Sequence, residues 1–302
     1  MGPQQTSAPA RLRGLYQLTR LHKFPLGSLI IYWPYGWSLA MAASSGHGSL
    51  DTLWKNVLIL FIAATLYHSA FCVWNDICDR DLDVKVERTR NRPLVTGVVP
   101  VSDAYGMFIG LLILTFLAVS LTNRTAFAIM TTSLPINIIY PLAKRWTWWP
   151  QLLLGVACSW GCIVGWAAMA GSKLGLLETP ALRALCVADT LFMVFADTMY
   201  AAQDKSDDDK AGIRSTARLF GAHIRTINAL FALGFVSALA FAGRLNGNGI
   251  PYFLGCAGAA LHAAWQLLMW RPDDAESSAA MFEQCHNLGY VVFLGIIVDI
   301  WI

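Results

Sequence analysis

Eight of the 19 acidic residues in this 302-residue chain fall in two short runs, Asn75-Asp76-Ile77-Cys78-Asp79-Arg80-Asp81-Leu82-Asp83 and Gln203-Asp204-Lys205-Ser206-Asp207-Asp208-Asp209. Each run directly follows an apolar stretch. On a helix advancing about 100° per residue, Asn75, Asp76, Asp79 and Asp83 share one face and Asp81 points away. From Gln203 the same arithmetic gathers Tyr200, Asp204, Asp207 and Asp208 and turns Asp209 aside. Carboxylates at helix C-termini meet the negative end of the helix dipole, so cations must offset them. Arg88, Arg90, Arg92, Lys205, Lys210 and Arg214 are near in sequence. An oxygen-only face without His or Cys suits a hard divalent ion such as Mg²⁺. Magnesium bridges carboxylates to phosphate oxygens, so two such faces beside Arg and Lys imply a phosphorylated substrate, foremost a diphosphate.

One charged run alone reads as easily as a solvated loop. Two runs with i, i+4 carboxylates at equivalent ends of two apolar segments argue for a shared site. No GxSxG, HExxH or GxxxxGK[ST] competes with them. The seven cysteines are odd in number and form no CxxC pair, which speaks against a disulfide framework or a zinc site.

The elements that must position these residues are membrane helices. The chain is 56% hydrophobic and only 14% charged, far from a soluble domain. Its 12 Trp, 15 Phe and 9 Tyr exclude disorder, and a net charge of +3 gives no nucleic-acid surface. Nine stretches approach the length of a membrane span, near 25–45, 54–74, 103–122, 125–143, 149–170, 181–201, 225–243, 250–270 and 281–301. The fold class expected is all-α integral membrane, one domain over 15–302 behind a disordered tail at 1–14. Leu15, Leu18 and Leu21 suggest a short interfacial helix ahead of the first span. The longest interruptions, about 75–102 and 202–224, are charged loops over the site.

With nine spans, 17 of the 22 Lys and Arg fall on one side, which places the N-terminus and both charged loops in the cytoplasm. Lys55, Arg124, Lys173, Arg183 and Arg244 fall opposite. Within the spans, His68, Asp189, Asp197, His262 and Asp299 are functional candidates by position, with satisfied buried imidazoles the competing reading for the two histidines. A transporter is the rival class for a bundle carrying such acids.

The pattern Asn75-Asp76-x-x-Asp79-x-x-x-Asp83, followed by Arg88, Arg92, Pro93 and Leu94, resembles the first aspartate motif of the UbiA superfamily of intramembrane prenyltransferases. Asp197-Thr198-x-Tyr200-Ala201-x-Gln203-Asp204-x-x-Asp207-Asp208, then Gly212 and Ser215, resembles its second. Tyr140-Pro141-x-x-Lys144-Arg145-x-Thr147-x-x-Pro150-Gln151 is similar to the 4-hydroxybenzoate polyprenyltransferase branch. The resemblance implies nine helices around a central cavity, and Mg²⁺-dependent transfer of a prenyl chain from its diphosphate to an aromatic ring. It implies Asn75, Asp79, Asp83, Asp204 and Asp208 as holders of Mg²⁺-diphosphate, with Asp76 and Asp207 added to the metal set from the helical faces. Arg20, Tyr140 and Lys144 would contact the diphosphate, Arg88 and Arg92 would be loop cations near it, and Asp197, Tyr200 and Gln203 would line the substrate space. The segment Leu18 to Ser28, then Tyr32-Trp33-Pro34, is similar to fungal meroterpenoid-pathway members that farnesylate phenolic acids of the orsellinic type. The 4-hydroxybenzoate enzymes of ubiquinone synthesis more often carry an acid where His22 stands, and remain the alternative. With Arg20 and Lys23 inside the family's own motif, the reading is an endomembrane protein, foremost of the endoplasmic reticulum, with the mitochondrial inner membrane as the alternative.

Overall fold

The computed structural model describes residues 7–171, 175 and 178–302. Long apolar runs satisfy their backbone groups internally, and helices result. The chain begins with α1 (Ala8–Leu18), a 3-10 turn (Leu21–Lys23) and α2 (Leu26–Ser44). The first acidic run ends α3 (Leu50–Cys78) and forms the single turn α4 (Arg80–Asp83). Next come α5 (Val101–Ser120), α6 (Arg124–Thr132), α7 (Leu134–Ile139) and a 3-10 segment (Tyr140–Arg145). After α8 (Pro150–Ala170) and α9 (Pro180–Ala202), the second acidic run forms α10 (Lys205–Ala211). The chain closes with α11 (Thr216–Phe220), α12 (Ile224–Asn246), α13 (Ile250–Met269) and α14 (Ala275–Trp301). No strand occurs among the described residues.

Eight helical segments among the described residues are long and apolar enough to cross a membrane. One joins α6, α7 and the 3-10 segment, and another joins α11 to α12. The expected ninth, α2, falls outside that set. Its Tyr32-Trp33-Pro34-Tyr35-Gly36-Trp37 stretch is less apolar than a lipid-facing helix, and all six residues are buried. It packs against α3, α8 and α14. Its indoles are satisfied there, Trp33 Nε1 donating to the His286 carbonyl at 2.9 Å and Trp37 Nε1 to that of Gly289 at 3.1 Å.

Residues 8–14, expected in the disordered tail, are helical, with Pro9 in the first turn of α1, where its missing N–H is no loss. Arg11 pairs with Asp103 on α5, and a Cβ on Gly14 would lie 2.6 Å from Val99. Residues 1–6 of the expected tail, and Lys173, lie outside the described residues.

Small residues let the central helices touch. A Cβ at Gly155 on α8 would stand 2.6 Å from the Thr190 carbonyl oxygen of α9, whereas one at Gly106 on α5 meets nothing within 4 Å. Because backbone cannot yield as a side chain can, Gly155→Ala is expected to destabilise by about 1–3 kcal/mol. Gly106→Ala should be neutral or stabilising by up to about 1 kcal/mol. Thermal unfolding in detergent checks both, and equal melting temperatures would refute the close contact.

Three of the other intramembrane polar groups have local partners. His68 Nε2 lies 3.3 Å from Cys72 Sγ, and His262 Nε2 lies 3.1 Å from the Gln284 carbonyl. Asp299 accepts the Gly249 N–H at 2.9 Å and holds the start of α13. Both oxygens of fully buried Asp189 lack a partner among the described residues.

Candidate active site

Neither acidic run continues its helix unbroken, as the wheel arithmetic assumed. At Asp79 (φ −96, ψ 0) α3 stops and α4 begins, and at Asp204 (φ −104, ψ 4) α9 gives way to α10. Acids crowded at a helix C-terminus oppose the dipole, and a break there relieves them. The convergence survives the break. Asp79, Asp83 and Asp208 are 0%, 5% and 8% exposed. Asp81 and Asp209 turn outward, with side chains 64% and 74% exposed, onto Arg145 and Arg218.

The ends of α3 and α9 enclose one cavity with the 3-10 segment and the two charged loops. From the first run it is lined by Asn75, Asp79 and Asp83, and from the second by Tyr200, Asp204 and Asp208. Asp197, Arg88, Arg92, Tyr140 and Lys144 complete the expected set on its wall. Lys144 pairs with Asp79, whose Oδ2 also accepts from Asn75 Nδ2 at 2.7 Å. Arg92 Nη1 donates to Asp83 Oδ2 at 2.7 Å. Arg88 forks onto Asp204, Nε to Oδ1 at 2.9 Å and Nη2 to Oδ2 at 2.6 Å, with its guanidinium 5.0 Å from the Tyr200 ring centre.

Four expected residues are placed elsewhere. Asp76 is buried behind the wall, bonded to Arg20 and Arg92, so neither Asp76 nor Arg20 lines the cavity. Asp207 faces the first charged loop and accepts the Glu87 N–H at 3.0 Å. Gln203 lines a separate outer hollow with Trp148 and Lys205. A helical wheel sees only the faces of its own helix, and Asp76 and Asp207 are claimed by neighbouring segments. Conversely, Gln151, Arg214 and Ser215 reach the wall although they were not among the expected site residues. Gln151 Oε1 accepts the Thr216 N–H at 2.9 Å and the Arg214 N–H bonds the Lys144 carbonyl at 3.0 Å, tying the second loop to α8 and to the 3-10 segment. Gln151 and Ser215 stand in the sequence motifs and Arg214 among the cations beside the second run, which was the available signal.

The donor chemistry fits a hard cation, being carboxylate and amide oxygen throughout. Asp79 Oδ1 is buried without a partner, and Asp208 makes no ion pair among the described residues. Among the described residues no three His, Cys, Asp or Glu stand close enough to hold an ion as they are. Arg88 and Lys144 occupy the carboxylates an ion would use.

Burial pushes the Asp79 carboxyl up to about 6 and Asp208 to about 7, and raises Asp83 as well. Between the ordinary carboxylate value and these raised ones, the folded protein binds more protons than the unfolded chain, so its stability falls as pH rises. The metal-free protein is therefore expected to melt lower at pH 7.5 than at pH 5, across the window from about 4 to about 7. Asp81, held at about 2 by Arg145, acts oppositely and only as pH falls below about 4. Melting curves in chelator check this, and Mg²⁺ should flatten the slope because metal binding needs ionised carboxylates. A melting temperature that rises from pH 5 to pH 7.5 in chelator would contradict it.

The fold and the cavity define an intramembrane enzyme class, a bundle of membrane-length helices whose two broken-helix acid runs meet Arg88, Arg92 and Lys144 on one cavity. Residues 31–293 match the UbiA prenyltransferase family. The chain belongs to that family and is a membrane prenyltransferase. It is similar to the UbiA prenyltransferase claS of Ampulloclitocybe clavipes, 37% identical over 98% of this chain and 94% of that one. It is also similar to the mitochondrial 4-hydroxybenzoate polyprenyltransferase of Homo sapiens, 35% identical over 98% of this chain and 78% of that one. The fold matches a solved UbiA homolog from Aeropyrum pernix K1 with a TM-score of 0.76, at 24% identity over 91% of this chain and 98% of that one. A UbiA homolog from Archaeoglobus fulgidus, solved bound to GPP and Mg²⁺, matches with a TM-score of 0.65 at 17% identity, over 96% of this chain and all of that one (100%).

Proposed function

We propose that this protein moves a prenyl chain, foremost farnesyl, from its diphosphate to a ring carbon of a phenolic acid of the orsellinic type, with Mg²⁺ at Asn75, Asp79, Asp83, Asp204 and Asp208. The observation that carries the reading is the convergence of Asp79, Asp83, Asp204 and Asp208 with Lys144, Arg88 and Arg92 on one cavity. When bound, Mg²⁺ neutralises the diphosphate leaving group. Lys144, Arg88 and Arg92 add fixed positive charge to the same group as the allylic C–O bond breaks. Tyr200 and Tyr140 put aromatic rings on the wall of the cavity in which the allylic cation would form. The ring carbon attacks, a C–C bond forms, and the ring proton leaves to a weak base, which is why no histidine is needed. Asp197, on the wall beside Gln151, orients the acceptor.

The acceptor reading rests on the Leu18–Ser28 segment and its likeness to fungal meroterpenoid enzymes. The 4-hydroxybenzoate reading is favoured by relatives of that name, such as those of Caenorhabditis elegans and Homo sapiens, each 35% identical to this chain. A panel of 4-hydroxybenzoate, orsellinic acid and dimethylorsellinic acid, crossed with geranyl, farnesyl and geranylgeranyl diphosphates, separates them. Preferred turnover of an orsellinic-type acid with farnesyl diphosphate is expected. Turnover confined to 4-hydroxybenzoate with the longest chain would replace the first reading by the second.

The loop charge asymmetry, with α2 taken as the ninth span, supports a cytoplasmic N-terminus. Arg20 bonds Asp76, which gives a basic residue of the leading segment a role in the folded enzyme, and the location proposed is the endoplasmic reticulum, with the mitochondrial inner membrane as the alternative. Co-fractionation with the mitochondrial inner membrane would overturn that location.

A further inference from the structure

Asp76 belongs to the first acidic run but faces away from the cavity, with a side chain only 1% exposed. Both of its oxygens are taken. Arg20 Nη2 donates to Oδ1 at 2.7 Å and to Oδ2 at 2.9 Å, and Arg92 Nη1 stands 2.8 Å from Oδ1. The same Arg92 nitrogen donates to Asp83 Oδ2, and Arg92 lines the cavity. Arg20 is anchored at its other end, Nη1 donating to the carbonyls of Gln17 at 3.0 Å and Leu18 at 3.3 Å. Its backbone is left-handed at φ 60, a conformation an arginine keeps only when its surroundings hold it there. A carboxylate bonded by two guanidinium groups has little acceptor capacity left for an ion across the wall. Withdrawing it would leave half-buried Arg20 without a carboxylate and Arg92 with Asp83 alone.

We propose that Asp76 is a positioning residue and not a metal ligand: with Arg20 it forms a buried clamp that aims Arg92 at the diphosphate and fixes Asp83 beside it. The inference rests on the Mg²⁺-diphosphate reading above. It assigns to Arg20 the work of holding Asp76, and leaves direct phosphate contact to Arg92.

The test compares wild type, Asp76→Asn, Arg20→Gln, the double variant and Asp79→Asn. Wild-type prenyl transfer that needs no Mg²⁺ would sink the underlying reading; everything below tests the clamp. Asp76→Asn and Arg20→Gln should each raise KM for farnesyl diphosphate by about 10-fold or more, shift the half-saturating Mg²⁺ concentration far less than Asp79→Asn does, and combine without further loss. Asp79→Asn should raise the Mg²⁺ requirement. A readout without turnover is the melting temperature: inorganic pyrophosphate in chelator should raise it in wild type and less in Asp76→Asn, while Mg²⁺ alone should raise it in both. An Asp76→Asn protein with the Mg²⁺ requirement of Asp79→Asn, a double variant whose losses multiply, or a pyrophosphate shift that is absent in wild type or equal in both would overturn the clamp. If Asp76→Asn does not fold, Arg20→Gln decides alone, an unchanged KM contradicting the proposal.

Discussion

Asp79→Ala and Asp208→Ala are each expected to lower kcat by about 10²–10³, the usual cost of deleting one charge-stabilising group at a reacting centre. Asp79 lies fully buried between Lys144 and Asn75, with one oxygen unpartnered. Its removal leaves the Lys144 ammonium without its carboxylate and one fewer ligand for the ion. Asp208 is the matching acid of the second run, 8% exposed and raised by burial. The neighbouring acids provide the control. Asp81→Ala and Asp209→Ala remove only exposed pairs with Arg145 and Arg218 and should cost less than about fivefold. Steady-state kinetics on the four variants, with melting temperatures to confirm folding, decide the matter. Equal losses at all four would refute the division of each run into an inward and an outward face.

Chelation has the second large effect: activity should vanish in EDTA, return fully with Mg²⁺ and return in part with Mn²⁺, which shares oxygen preference and octahedral geometry. Ca²⁺, larger and less demanding in geometry, should restore little. The cavity as it stands, with Arg88 and Lys144 on Asp204 and Asp79, implies that these cations must trade carboxylate for phosphate as substrate and metal arrive. Full activity in chelator would show that Arg and Lys alone carry the leaving group.

Much of this arrangement was legible in the sequence because two periodicities dominate it. Apolar runs of membrane length can only be helices, and i, i+4 acids at their ends fall on one face. Asp79, Asp83, Asp204 and Asp208 line the cavity, and Asp81 and Asp209 turn outward for that reason. Arg20, Asp76 and Asp207 stand away from the cavity because their partners come from distant segments. Arg20 reaches Asp76 across 56 positions, and the Glu87 N–H reaches Asp207 across 120. The breaks at Asp79 and Asp204 were equally hidden, since a wheel assumes the continuity that crowded carboxylates disrupt. Hydropathy alone also conceals that α2 is buried among α3, α8 and α14, where aromatic residues fill space and their N–H groups find carbonyls.

The central claim is that the two acid faces serve prenyl transfer to an aromatic ring and not passage of an ion. Purified protein in detergent, given Mg²⁺, farnesyl diphosphate and the phenolic acids above, tests it most directly by quantifying diphosphate and C-prenylated product together. The account predicts equal amounts of the two, dependent on metal and lost in Asp79→Ala. Diphosphate released without prenylated product, or substrate taken up by liposomes with neither formed, would contradict it.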